Sequence, residues 1–157
     1  MKPAIRQPIV IVEDSDDDFE ATERALKRNG GLANPLLRFD CAESTLLYLS
    51  KVMHGSDDPE LAVPGIILLD LNLPGIGGAA ILSQMRSQLH LAEIPVVVLT
   101  TSTDPRDIER CYKAGANTYI QKPVDLERFF KAIQQLKDYW FELAILPGQG
   151  KCARRQL

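Results

Sequence analysis

Four aliphatic residues in a row, Ile66-Ile67-Leu68-Leu69, run straight into one carboxylate, Asp70, and the chain breaks at Pro74-Gly75 a few positions later. A strand with one wet face would alternate apolar and polar residues. An unbroken short apolar run instead suits a strand buried on both faces, as in a parallel sheet covered by helices. Asp70 then stands at the carboxyl end of that strand, the rim where open α/β sheets place their ligands. Two more stretches have the same form. Ile9-Val10-Ile11-Val12 ends in Glu13-Asp14, and Ile94-Pro95-Val96-Val97-Val98-Leu99 ends in Thr100-Thr101-Ser102, with Pro95 near the start where a missing donor matters least.

Weaker strands are predicted at Leu36-Leu37-Arg38-Phe39 and at Thr118-Tyr119-Ile120-Gln121; the latter is less apolar, hence expected at the sheet edge, and runs into Lys122-Pro123. Helical spacing separates the strands. Phe19, Thr22, Leu26 and Asn29 form one stripe that Gly30-Gly31 stops, and the acids of 14–18 sit at that helix's amino end, where the macrodipole tolerates them. Capping accounts for Asp16, Asp17 and Asp18. A second helix is predicted over 42–53, with Leu46, Leu49 and Met53 on one face, followed by a polar loop over 54–64. Gly75, Gly77 and Gly78 open a third helix with Ile81, Leu82, Met85 and Leu89 inward. Pro105 starts a fourth that Gly115 ends. The last runs from about Asp125 through Trp140 or beyond, carries Phe129, Ile133, Leu136, Trp140 and Leu143 on one stripe, and stops at Pro147-Gly148.

Five strands alternating with five helices, joined by right-handed crossovers, give an α/β fold: a doubly wound parallel sheet with helices on both faces. The division expected is an arm over 1–7, one domain over 8–146 with an extended last helix, and a basic tail over 147–157. The 157 residues suffice for one full core, and a net charge of −3 gives no support to a nucleic-acid binder. No apolar run nears the roughly 20 residues of a membrane span and no signal-type h-region opens the chain, so a cytoplasmic protein without membrane contact is expected. Cys41, Cys111 and Cys152 lack metal or disulfide spacing and are expected to be reduced thiols.

In such a sandwich all strand carboxyl ends point one way, so Glu13, Asp14, Asp70, Thr100 and Lys122 collect on one rim. Converging carboxylates raise each other's proton affinity unless a cation compensates. Their hard oxygens suit magnesium, which readily bridges to phosphate oxygens. Lys122 adds a flexible point charge and Thr100 a hydroxyl donor. The set can handle a phosphoryl group, and it contains no base–Ser or base–Cys pair for acyl chemistry.

Glu13-Asp14, Asp70 followed by Leu-Asn-Leu-Pro-Gly, Thr100 and Lys122-Pro123 resemble the receiver domain of two-component response regulators over roughly residues 8–141. The resemblance implies the flavodoxin-like strand order 2-1-3-4-5. It implies phosphorylation of Asp70 by a histidine kinase, with Thr100 and Lys122 holding the phosphoryl oxygens. Magnesium would be bound by Asp14, Asp70 and the main-chain carbonyl of Asn72, with Glu13, where many receivers have Asp, acting through water. Thr100 and Tyr119 would form the switch, and a cis Lys122–Pro123 bond is expected. Such a domain assists its own phosphorylation and dephosphorylation but is not otherwise an enzyme.

The segment Tyr139-Trp140-Phe141-Glu142-Leu143, with Leu146-Pro147 nearby, is similar to that of single-domain regulators that partner cyanobacterial and bacterial phytochromes. With no effector domain expected after the last helix, the output must be a contact surface. Large apolar residues crowd 139–146 beyond what one helix face can bury, so a homodimer is expected through the fourth helix, last strand and last helix, with Tyr112, Tyr119, Trp140 and Phe141 at the interface. Two alternatives remain: a phosphorylation-independent scaffold, and a magnesium-dependent phosphatase-like enzyme, which would normally need a second Asp where Asn72 stands.

Overall fold

The computed structural model describes residues 7–28, 31–52, 58 and 61–144. Five parallel strands, β1 (Ile9–Val12), β2 (Leu36–Phe39), β3 (Ile66–Leu69), β4 (Val96–Thr100) and β5 (Thr118–Gln121), form one sheet in the order β2-β1-β3-β4-β5. The three unbroken apolar strands are buried throughout, while β2 and β5 take the half-exposed edges.

The lack of alternation in the central strands has a direct cause. Val10, Val12, Ile67, Leu69, Val96 and Val98 point to one face, packing with Leu49, Ile81, Leu82 and Met85. Their neighbours Ile9, Ile11, Ile66, Leu68, Val97 and Leu99 point to the other, against Leu26, Phe129, Ile133 and Leu136. Each large side chain taken fully out of water contributes about 1.5–3 kcal/mol, so neither face tolerates a polar residue.

The helices are α1 (Asp16–Lys27), α2 (Ala42–Lys51), α3 (Gly78–Arg86), α4 (Pro105–Lys113) and α5 (Leu126–Lys137). Side chains cap four of them: Ser15, Cys41, Asp104 and Asp125 each accept from a first-turn amide, and Pro105 opens α4 where its missing N–H is not needed. Among the described residues no helix is long and apolar enough to cross a membrane. Cys41 and Cys111 are free thiols; Cys152, like Asn29, Gly30 and Met53, lies outside the described residues.

The chain departs from the sequence reading in three places. The third helix stops at Arg86, whose guanidinium donates to the carbonyls of Ala92 and Ile94 and turns the chain there; Leu89 is left 94% exposed and Leu91 is buried instead. After Lys137 the last helix becomes a π turn, Asp138–Leu143, closed by the Ala144 amide reaching back five residues to the Tyr139 carbonyl. The wider turn shifts the phase, so Trp140 and Phe141 both pack against the core while Leu143, expected on the same stripe, points to solvent. Finally, the expected cis Lys122–Pro123 bond is not found: no peptide among the described residues is cis. The trans form is the lower in energy for X–Pro bonds by about 0.5–1 kcal/mol.

Candidate functional site

The ladder extends one residue past the strands and aligns the rim. The Asp70 amide donates to the Val12 carbonyl (3.0 Å), Glu13 to Phe39 (2.9 Å) and Lys122 to Thr100 (2.7 Å), so strand tips distant in sequence end side by side. Gly78, at the start of α3, lets that helix come up against the phosphoacceptor candidate: a Cβ there would lie 2.5 Å from the Asp70 carbonyl oxygen.

Lys122 is the hub. Its buried ammonium donates to Glu13 Oε2 (2.6 Å), Asp18 Oδ2 (3.0 Å) and Asp70 Oδ2 (3.1 Å). Asp70 Oδ1 accepts from the Asn72 amide at 3.0 Å. Glu13 and Asp70 are nearly buried, Asp14 faces solvent, and oxygens of these three carboxylates lie within 4.8 Å of one another. Three hard oxygen donors that close, backed by only one ammonium, fit a small divalent cation. Burial, only partly offset by the hydrogen bond and charge of Lys122, pushes the Glu13 carboxyl up to about 7. Burial by itself would lower Lys122, but the hydrogen bond to Glu13 and the charges of Asp70 and Glu13 outweigh it and raise the ammonium's pKa.

Thr100 is fully buried, and its hydroxyl accepts from Asn72 Nδ2 at 3.4 Å, as does that of Thr101. Behind it, the half-buried Tyr119 donates its hydroxyl to the Ser102 carbonyl (2.8 Å), and its amide is covered by the Tyr112 hydroxyl (3.1 Å). Glu13, Asp14, Asp70, Asn72, Thr100 and Lys122 are thus brought to one rim, with Tyr119 reaching the loop beyond it. Tyr112, Trp140 and Phe141 are elsewhere: Tyr112 is half exposed on α4, and the other two lie on the π turn against the core. The apolar groups that this turn presents outward are Tyr139 and Leu143.

Two contributors are absent from the sequence reading. Asp18, assigned there to helix capping alone, reaches Lys122. Arg38 on β2 donates through Nε to the Glu13 carbonyl (3.2 Å), pairs with Asp16 (2.7 Å) and lies 4.7 Å over the Phe19 ring, pinning the loop that carries the acids. A lone charge inside an apolar strand was a usable signal for Arg38.

Parallel order, buried central strands and an acid-and-lysine rim together define the receiver class. The chain belongs to the response regulator receiver domain family, whose model matches residues 9–134. It is 32% identical over 140 residues to the response regulator Rcp1 of Synechocystis sp., covering 89% of this chain and 92% of that protein. It is 35% identical over 140 residues to the probable methanogenesis regulatory protein FilR2 of Methanothrix harundinacea, with 89% and 87% covered. Among solved structures, the phosphorylated cyanobacterial phytochrome response regulator RcpA superposes with a TM-score of 0.81 at 30% identity, covering 90% of this chain and 99% of that one. The Mn(2+)-bound form of Rcp1 gives 0.80 at 31%, with 90% and 99% covered.

Proposed function

We propose that the chain is a cytoplasmic response regulator of a two-component phosphorelay that accepts a phosphoryl group on Asp70 from a histidine kinase, and that the kinase is a phytochrome. The observation carrying this reading is the Asp70 carboxylate itself, set between the Lys122 ammonium and two further acids. The phytochrome pairing draws on the likeness to the cyanobacterial phytochrome response regulator RcpA. The working unit is residues 8–146, flanked by an arm and a tail.

Asp14, Asp70 and the main-chain carbonyl of Asn72 would hold magnesium, with Glu13 acting through water. The bound ion supplies neutralisation of the charge on the transferring group. One Asp70 oxygen attacks the phosphohistidine phosphorus in line as the bond to the imidazole nitrogen breaks. Lys122 takes up charge on the phosphoryl oxygens, and the Thr100 hydroxyl turns to donate to another. Drawing Thr100 inward disturbs its contacts with Asn72 and the loop that Tyr119 holds through Ser102, which is how the event reaches the α4–β5 surface.

The output is contact with other proteins rather than with nucleic acid. A homodimer through α4, β5 and the last helix is supported by Tyr112, Tyr139 and Leu143, all about half exposed or more on those elements. Light scattering that gives a strict monomer with and without a phosphate mimic rejects the dimer. The phosphoacceptor reading is tested with a small phosphodonor and magnesium followed by intact mass: a single labile adduct is expected on the wild type and none on Asp70→Asn.

A further inference from the structure

Ser15 and Asp18 stand as N-cap and third helical residue of α1, the spacing of a capping box, in which the acid would reach back to the Ser15 amide. Only half of that box forms. Ser15 Oγ accepts from the Asp18 amide at 3.2 Å, but the Ser15 amide donates to Glu13 Oε1 at 3.1 Å. The Asp18 carboxylate, released from its local duty, turns to Lys122.

An ammonium has three N–H donors, and here Glu13, Asp18 and Asp70 accept all three. A phosphoryl oxygen arriving beside Asp70 therefore has to displace one acceptor. Glu13 is buried and held from its other oxygen by Ser15, and Asp70 is the attacking group. Asp18, with its side chain 48% exposed, is the one partner that water can take up again at small cost. We infer that Asp18 is a positioning residue that keeps the third Lys122 N–H occupied until a phosphoryl oxygen replaces it, and so restrains phosphorylation of the resting protein. The inference rests on the phosphoacceptor reading of Asp70 and adds a restraint to it.

The test is the rate of adduct formation from a small phosphodonor with magnesium, by intact mass, in wild type, Asp18→Asn, Asp18→Glu and Asp17→Asn. Asp18→Asn should react about two- to fivefold faster, the size of a half-exposed ion pair, and Asp18→Glu, which restores the charge, should return toward the wild-type rate. Asp17 is exposed and one residue away, so Asp17→Asn removes equal charge from the same turn while leaving Lys122 untouched, and should react like wild type. Equal acceleration in Asp17→Asn would replace the proposal by a general field effect. An unchanged or slower Asp18→Asn would overturn it while leaving the phosphoacceptor reading intact. A wild type that takes no adduct would remove both.

Discussion

Two cations hold opposite ends of the sheet, and they are held differently. At the carboxyl rim Lys122 is surrounded by carboxylates. At the amino rim Arg86 is surrounded by neutral oxygens: the carbonyls of Gly115, Ala92 and Ile94 and the Asn117 side chain, at 2.7–3.1 Å. Carbonyls satisfy a guanidinium without competing for protons or metal, so the arginine end is a permanent fastening of the α3–β4 and α4–β5 connections. Carboxylates hold the lysine too, but their oxygens can also bind a cation, and in the proposed function one of them is the nucleophile. One end stabilises the fold; the other, on the proposed function, exchanges its partners.

The largest effects should come from removing each cation. Lys122→Ala leaves Glu13 and Asp70 buried without their counter-charge and should cost about 3–5 kcal/mol. Arg86→Ala strands several main-chain carbonyls and should cost about 3 kcal/mol. Urea unfolding with and without magnesium separates the two. The cation should recover more stability in Lys122→Ala than in wild type, because it supplies the missing charge, whereas Arg86→Ala should gain no more than wild type. Equal recovery in both variants would break the distinction between the ends.

Glycines sharpen the same contrast at an intermediate size. A Cβ on Gly78 would press on the Asp70 carbonyl oxygen, and one on Gly115, at φ +105°, would meet the Arg86 side chain at 2.7 Å. Each Ala substitution should cost about 2 kcal/mol through crowding or backbone strain. Only Gly78→Ala should also slow phosphoryl acceptance by the folded protein, since only there does the displaced backbone carry the proposed acceptor, Asp70. Matched losses of acceptance in both would mean that the amino rim also shapes the site.

This division was partly legible in the sequence. Apolar runs ending in Glu13, Asp70 and Thr100 marked the polar rim because burial on both faces leaves only the strand tips for polar groups. The Arg86 end left no such mark: apart from the Asn117 side chain, its acceptors are main-chain carbonyls, which every residue has. Asp18 reads as a cap because acids at a helix amino end suit the macrodipole; that Glu13 takes the Ser15 amide and leaves the Asp18 carboxylate to Lys122 is a tertiary fact. The phase of Leu143 was lost for a related reason, since periodicity assumes an α-helix and the chain changes to a π turn at Asp138.

The smallest effect should be at Tyr119, which joins the rim to the edge of the sheet. Tyr119→Phe keeps the ring packed on the core and removes only the bond to the Ser102 carbonyl, so it should cost about 1 kcal/mol. Ser102 is itself anchored, its hydroxyl donating to Asp107 Oδ2 at 2.7 Å at the start of α4. The loop should therefore stay in place, and the rate of phosphoryl acceptance should match wild type even as the unfolding midpoint falls. A slowed Tyr119→Phe would mean that the tyrosine hydroxyl helps hold Thr100 in the resting site, and the exchangeable end of the molecule would then extend from Lys122 to the edge strand.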